Sequence, residues 1–227
     1  MSTFTVTGIR KSFSRKKHIL EDISLQADAG ECIGILGANG CGKSTLLSIL
    51  AGTLSADSGT ITYEEASISA KKTNRSPLPI GYVPQESPLI PELNAYDNLR
   101  LWYCDGKLSL ERELESGFLS LLGIPDFLSV PVKKMSGGMK KRLSIGCCIA
   151  TAPKVLLLDE PGAALDLVCK EQIEQYFKKY LSSGNIILIA THEEREIAFC
   201  NRLYLLKNGT LSPFSYSGDI HELTKKL

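Results

Sequence analysis

The run Gly37-Ala38-Asn39-Gly40-Cys41-Gly42-Lys43-Ser44-Thr45 decides the fold of this chain. It fits the pattern G-x-x-x-x-G-K-[ST], whose glycines let the backbone wrap closely around a polyphosphate. The apolar run Cys32–Leu36 precedes it and predicts a buried strand, and Leu46–Leu50 follows it and predicts a helix. Strand, loop and helix in this order are the context that the pattern requires, so the sequence predicts a loop that binds a nucleoside triphosphate.

The same loop predicts which residues touch the nucleotide. The backbone N–H groups at the start of the helix point at the phosphate oxygens. Lys43 adds a positive charge for the β- and γ-phosphates, and the Ser44 hydroxyl is placed to bind Mg²⁺. We therefore expect the nucleotide to contact Gly37, Asn39, Gly40, Cys41, Gly42, Lys43, Ser44 and Thr45.

Two later strands carry polar residues at their carboxyl ends. Val155–Leu158 leads into Asp159 and Glu160, and Ile186–Ala190 leads to His192. Ligands of open parallel sheets bind at this edge. We expect Asp159 to hold Mg²⁺, mainly through water, and Glu160 to polarise the attacking water as general base. His192 is expected to hydrogen-bond the γ-phosphate, so the predicted catalytic set is Lys43, Glu160 and His192.

The alternation of predicted elements gives the fold class. Strands and helices alternate around the loop, which predicts an α/β fold, a P-loop NTPase with a mostly parallel sheet. Before the loop, alternating apolar residues in 4–9 and 19–25 predict an antiparallel hairpin or small sheet, an N-terminal antiparallel β subdomain. The middle of the chain is mainly helical and predicts an inserted all-α subdomain, with helices near Ala95–Trp102, Leu108–Leu122 and Ser136–Ala150.

These elements predict one nucleotide-binding domain over residues 1–227. We expect a catalytic α/β core lobe, 1–86 with 153–227, and a helical lobe, 87–152. Residues 64–79 have the composition of an exposed irregular connection. The run Lys140-Lys141-Arg142 predicts a solvated basic face.

Composition excludes several classes of protein. At 43% hydrophobic and 22% charged, the 227-residue chain is too apolar for disorder. Lys+Arg 26 against Asp+Glu 25 gives a net charge of +1, which argues against a dedicated nucleic-acid binder. Its apolar runs are far shorter than the about 20 residues of a membrane span, and its start lacks the pattern of a secretory signal. Seven cysteines without paired metal spacing suit reduced thiols, so a cytoplasmic protein is expected.

The order of these motifs resembles the ATP-binding cassette (ABC) family of nucleotide-binding domains. The most specific element is Met135-Ser136-Gly137-Gly138-Met139, which resembles the signature sequence of that family. The resemblance implies that Ser136, Gly137 and Gly138 face the nucleotide held by a second cassette, so that each nucleotide is clamped between two subunits. Ser136 can also cap the helix that follows it.

Other positions carry over from the same resemblance. Gln85 in Tyr82–Glu86 resembles the glutamine loop, which supplies a ligand of Mg²⁺ or water. Asp166 resembles the loop that contacts the opposite subunit. Phe13 resembles the aromatic residue on which adenine stacks, with Ile19 nearby, although an aromatic residue beside a hairpin is often only packing. The implied metal ligands are thus Ser44, Gln85 and Asp159.

Two departures from the family pattern bear on the role of the chain. Met139 stands where the commonest signature has Gln, a variant that resembles exporters with a separate membrane subunit. Gly162 and Ala163 replace the hydroxyl residues often found in the Asp166 loop, which puts hydrogen bonding between subunits there in doubt. The chain also ends soon after His192, without the regulatory domain of some sugar importers, and this too favours export.

The resemblance implies an ATP-binding and ATP-hydrolysing subunit of an ABC transporter that uses Mg²⁺. Its expected partners are ATP, a second nucleotide-binding subunit (in a homodimer or a heterodimer) and a separate transmembrane permease, with no nucleic acid. It would lie in the cytoplasm, peripheral at the inner face of the cell membrane. The alternative is a soluble ABC ATPase that acts in assembly or regulation without transport.

Overall fold

The strands and helices are those of a computed structural model, which describes residues 2–14, 17–64 and 78–218. The strands are β1 (Thr3–Ser14), β2 (Lys17–Asp28), β3 (Cys32–Leu36), β4 (Ser58–Glu64), β5 (Ile80–Val83), β6 (Val155–Asp159), β7 (Ile186–Ala190), β8 (Arg202–Lys207) and β9 (Thr210–Phe214). The helices are α1 (Lys43–Leu50), α2 (Ala95–Tyr103), α3 (Leu110–Ser116), α4 (Phe118–Leu121), α5 (Gly137–Ile149), α6 (Leu167–Ser182) and α7 (Glu194–Phe199). Most of the irregular connection expected at 64–79 lies outside the described residues.

One sheet has the strand order β5-β6-β7-β3-β8-β9, and all of its pairs are parallel except β8 with β9. Every residue of β3, β6 and β7 is buried. Strands covered on both faces are expected to be continuously apolar, which explains why these three runs do not alternate. The predicted mostly parallel sheet is confirmed.

A second, antiparallel sheet has the order β2-β1-β4. Val6 of β1 lies between Leu25 of β2 and Ile61 of β4, and Phe4, Val6 and Ile9 are buried. One face of this sheet therefore covers the core, as the alternating pattern predicts. The first two strands run further than their apolar residues suggested, because β1 continues to Ser14 and β2 begins at Lys17.

The helices between β5 and β6 agree with two of the three predicted segments. Helices α2 and α5 match the predictions at 95–102 and 136–150 closely. The single helix expected over 108–122 is wrong: it is two helices, α3 and α4, that meet at Gly117. Gly117 has extended backbone, and the Glu113 carboxylate accepts a hydrogen bond from the Phe118 N–H at 2.8 Å. This local capping contact satisfies a helix-start donor and so lets a new helix begin.

Helix α5 is the most buried of these helices on its C-terminal side. From Leu143 onwards all of its residues are buried, and Gly146 packs so closely that a methyl group there would lie 2.6 Å from the Leu119 side chain. In the described part of the chain, no helix is both long and apolar enough to cross a membrane.

Candidate active site

Four neighbouring strands deliver the predicted site residues to one edge of the parallel sheet. In sheet order, β5 leads to Gln85, β6 to Asp159 and Glu160, β7 to His192, and β3 to the loop 37–45. Asp159 pairs with Ala190 on β7, and Ile35 of β3 pairs with the same alanine. Because parallel strands end at a common edge, segments far apart in sequence converge there.

A cavity of about 520 Å³ opens at this edge. Its size is within the range of small-molecule sites. It is lined by Phe13, Ile19, Asn39, Gly40, Gly42, Lys43, Ser44, Thr45, Gln85, Glu160 and His192. All eleven were singled out from the sequence, so the folded chain brings most of the predicted site into one cavity.

The loop between β3 and α1 is shaped around glycine and lysine. Gly42 has φ of +111°, and a methyl group there would lie 2.9 Å from the Ile19 side chain, so only glycine fits without strain. Gly42 is the N-cap of α1 and has no side chain that could accept from the first N–H groups of the helix. These groups, which belong to residues lining the cavity, are therefore left for a ligand. The Lys43 ammonium is buried and donates to the carbonyls of Gly37 (2.7 Å) and Ala38 (3.2 Å). Gly37 and Cys41 are not among the lining residues, and Cys41 instead packs against the core.

Asp159 has the surroundings of a ligand for a divalent cation. Its side chain is 2% exposed, and one carboxylate oxygen, Oδ2, is buried without a hydrogen-bond partner among the described residues. Burial raises the pKa of Asp159, and a hydrogen bond with Ser44 opposes this rise. An unpaired carboxylate oxygen beside a hydroxyl fits Mg²⁺, which prefers hard oxygen ligands. Ser44 and Asp159 therefore suit the predicted metal site.

The Glu160 carboxylate is held between two other predicted residues. Gln85 donates from its amide nitrogen to Oε2 at 3.1 Å, and His192 Nδ1 lies 3.2 Å from Oε1. Glu160 also has φ of +48°, which is unusual for a residue other than glycine, and its N–H donates to the Ala190 carbonyl. Backbone strain of this kind concentrates at functional sites. Nothing in the sequence signalled this conformation.

The signature residues do not belong to this cavity. None of Ser136, Gly137 and Gly138 is among the residues that line it. Ser136 is exposed and caps α5, its hydroxyl accepting from the Met139 N–H at 3.2 Å. A methyl group on Gly138 would lie 2.8 Å from the Ala164 carbonyl oxygen, so the glycine is required for close packing of this loop on the segment before α6. The surface at Ser136 is open, as a contact with a second subunit would need.

The Asp166 segment is stabilised from within the chain. Asp166 caps α6 by accepting from the Cys169 N–H at 2.8 Å. The Gly162 N–H donates to Glu196 Oε1 at 2.8 Å. A methyl group at Gly162 would lie 2.5 Å from that oxygen, so α7 fills the space where a larger residue would project.

The prediction of a solvated basic face at 140–142 is wrong for Lys141. Its side chain is only 5% exposed, whereas Lys140 is half-buried, and Arg142 donates to the Leu122 carbonyl at 3.0 Å. Burial lowers the pKa of Lys141, and the nearby Asp159 and Glu160 oppose this shift. Helical spacing could have found it, because Lys141 falls on one face with the buried Ile145 and Cys148.

Comparison with known proteins identifies the family. The family model described as "ABC transporter" matches residues 20–163. The chain belongs to the ABC transporter family. It binds ATP together with Mg²⁺ and is an ATPase.

Similar cassettes are found in export and in import systems. The lipopolysaccharide export system ATP-binding protein LptB of Escherichia coli is 32% identical over 93% of this chain and 89% of its own length. The spermidine/putrescine import ATP-binding protein PotA of Bacteroides fragilis is also 32% identical, over 97% of this chain but 48% of its own length. The ATP-binding cassette MJ0796, solved as a dimer in a post-hydrolysis state with ADP and Pi, has a TM-score of 0.78. The two chains are 26% identical, and the match covers 94% of this chain and 99% of the MJ0796 chain. The ABC cassette described here is thus an ATP-binding subunit of a transporter.

Proposed function

We propose that two nucleotide-binding subunits of this kind close around ATP and drive export through a separate membrane permease. The observation that carries the proposal is the position of Glu160. Its carboxylate is bracketed by Gln85 and His192 in the same cavity as Lys43 and the phosphate loop. A base at that position can meet a water beside the terminal phosphate of a nucleotide seated on the loop.

The chemical step assigns a role to each residue of the cavity. The water oxygen bonds to the γ-phosphorus as the bond from that phosphorus to the bridging oxygen breaks, giving ADP and phosphate. Glu160 accepts the proton that the water loses, and His192 holds both the γ-phosphate and Glu160 in position. Lys43 leaves its carbonyl partners to neutralise the β- and γ-phosphate oxygens.

Mg²⁺ is assigned to Ser44, Asp159 and Gln85. The buried, unpaired Oδ2 of Asp159 supports this assignment. When bound, the ion neutralises charge on the phosphate oxygens. The residues of the chain then position water and move its proton.

The signature loop is assigned to the nucleotide of the partner subunit. Ser136 is exposed and lies outside its own cavity, while the N–H groups at the start of α5 form a site for an anion. Contacts made to ATP from both sides exist only in the closed dimer, so ATP shifts the equilibrium towards closure. Removal of the γ-phosphate by hydrolysis removes these contacts, and the dimer reopens. Asp166 would support the same interface.

The permease is assigned to the surface between Gln85 and Leu99. Ile90 and Tyr96 are 43% and 38% exposed there, and Leu101 and Trp102 on α2 are 54% and 44% exposed. Exposed apolar side chains grouped on one element are typical of a protein-binding surface. Residues 87–152 would move as a helical lobe against a core lobe of 1–86 and 153–227, at the inner face of the membrane. Export is favoured because Met139 stands where the commonest signature has Gln, a variant that resembles exporters with a separate membrane subunit.

The Glu160→Gln variant tests the catalytic assignment. It removes the base but keeps a group of the same shape, so ATP binding is retained and an ATP-bound dimer accumulates while turnover falls by about 10³-fold or more. Nucleotide binding, ATPase rate and sedimentation with ATP are the measurements. Undiminished turnover in this variant would remove Glu160 from the role of base.

Affinity purification from detergent-solubilised membranes of the native host, with ATP and vanadate, tests the transport assignment. A polytopic membrane protein that copurifies in comparable amount supports it, and the architecture of that protein distinguishes export from import. Recovery of water-soluble partners alone, with the chain absent from the membrane fraction, would favour the assembly or regulatory alternative and leave the ATPase chemistry in place.

A further inference from the structure

Lys141 is a buried cation at the meeting point of three segments of the site. Its ammonium donates to the carbonyl oxygens of Pro84 (3.2 Å), Gln85 (3.3 Å) and Asp159 (3.3 Å). In the described part of the chain, no carboxylate lies within ion-pair distance of it. An ammonium has three N–H donors and no acceptor, which matches three carbonyl oxygens.

The three carbonyls belong to the two segments that carry the metal and base residues. Pro84 and Gln85 form the glutamine loop after β5, and Asp159 ends β6 just before Glu160. The negative ends of three carbonyl dipoles converge there, and the three N–H donors of one ammonium can satisfy them together. Ser87 adds a second link, because its hydroxyl donates to the Lys140 carbonyl at 3.4 Å.

The ammonium is supplied by the helix that begins at the signature loop. Lys141 lies five residues after Ser136, or about 7.5 Å along the axis of α5. The buried C-terminal part of α5 packs in the core, so we expect any displacement of the signature loop to shift the helix as one body. A shift of Ser136 is therefore carried to the glutamine loop and to the end of β6.

We propose that Lys141 is a positioning residue that ties the signature helix to the glutamine loop and to the end of β6. Docking of Ser136 on the nucleotide of the partner then fixes the general base and the glutamine of this chain's own site. Within each subunit, Lys141 thus links the signature loop, which meets one nucleotide of the dimer, to the residues that act on the other nucleotide. This inference rests on the proposed function, because it needs a second subunit at Ser136.

The test compares Lys141→Met with Lys141→Arg and with Lys179→Met. Methionine removes the charge and all three donors at similar length, arginine keeps both, and Lys179 is an exposed residue of α6. We expect Lys141→Met to lower kcat by about ten-fold or more while KM for ATP stays within about three-fold. Lys141→Arg should recover most of the loss, and Lys179→Met should match the wild type.

Dimer formation gives a readout that does not depend on turnover. In the Glu160→Gln background, Lys141→Met should raise the ATP concentration at half-maximal dimer by about five-fold or more, with ATP binding to the monomer unchanged. If Lys141→Met does not fold, Lys141→Gln replaces it with the same expectation, since it loses the charge and one donor.

The proposed function and the inference fail in different ways. A wild-type chain without ATPase activity, or a Glu160→Gln chain that ATP does not dimerise, would defeat the proposed function first. With both of those intact, unchanged kcat and unchanged dimerisation in Lys141→Met would overturn the inference. Equal loss in the methionine and arginine variants would also overturn it, because a purely steric role would then explain the effect.

Discussion

Ser136 is expected to serve two purposes that a pair of substitutions can separate. Its hydroxyl caps α5 by accepting from the Met139 N–H at 3.2 Å, and its exposed surface is assigned to the partner's nucleotide. Alanine removes the cap and adds no charge. Aspartate keeps a capping oxygen and places a negative charge at the helix N-terminus, where the first turn has no acidic residue.

The two effects differ in size. Loss of an N-cap costs about 1 kcal/mol, which lowers the Tm of a chain of this length by about 2–4 °C in Ser136→Ala. Ser136→Asp should keep the wild-type Tm. Against a γ-phosphate at about 4 Å, its charge is repelled by about 4 kcal/mol for an effective dielectric constant of 20. That repulsion weakens each of the two contacts in a dimer by about 10³-fold, since 1.4 kcal/mol is a factor of ten.

Thermal unfolding without nucleotide measures the first effect, and sedimentation with ATP in the Glu160→Gln background measures the second. Ser136→Asp should remain monomeric with ATP while unfolding at the wild-type temperature. Ser136→Ala should unfold at a lower temperature and still form most of the ATP-bound dimer. Ser109→Ala is the control for loss of a cap, since the Ser109 hydroxyl accepts from the Arg112 N–H and caps α3; it should lower the Tm and leave dimerisation with ATP unchanged. An ATP-stabilised dimer of Ser136→Asp would refute the placement of Ser136 against the partner's nucleotide, and a lowered Tm in that variant would refute the capping argument.

Two further predictions concern α7 and the expected adenine contact. Burial raises the pKa of Glu196, so the native state resists its ionisation and loses stability as the pH rises through that raised pKa. Glu196→Gln keeps an acceptor for the Gly162 N–H but cannot ionise. The Tm of this variant should exceed the wild-type Tm by more at about pH 8 than at about pH 4. An equal difference in Tm at the two pH values would contradict this. Phe13 is 58% exposed at the cavity, and Phe13→Ala should raise KM for ATP by about ten-fold with kcat unchanged, as loss of base stacking predicts. A KM that does not change in steady-state assays would leave Phe13 as packing only.

The cavity could be predicted from the sequence because its residues follow from local patterns. Each of these buried runs leads at its carboxyl end to a polar site residue, and parallel strands end at one edge. Lys43, Glu160 and His192 therefore converge without knowledge of side-chain contacts. The interruption at Gly117 was missed because the cap there comes from Glu113, a side-chain contact that helical periodicity does not encode. The positive φ of Glu160 was missed for the same kind of reason, since the hydrogen bond from its N–H to Ala190 joins two strands.

Lys141 shows why the coupling between parts of the site was harder to predict than its members. A basic triplet at the start of a helix is solvated in most proteins, and the acceptors of this lysine are backbone carbonyls, which any sequence would supply. Binding a nucleotide requires particular residue types at particular spacings, so the residues that touch it form a motif that can be recognised in the sequence. The residue that joins them is fixed only by the packing of α5 against β5, beside the end of β6, and it becomes recognisable when the helix and the sheet are packed together. Its burial against carbonyl oxygens at the ends of two different strands is the feature that identifies it.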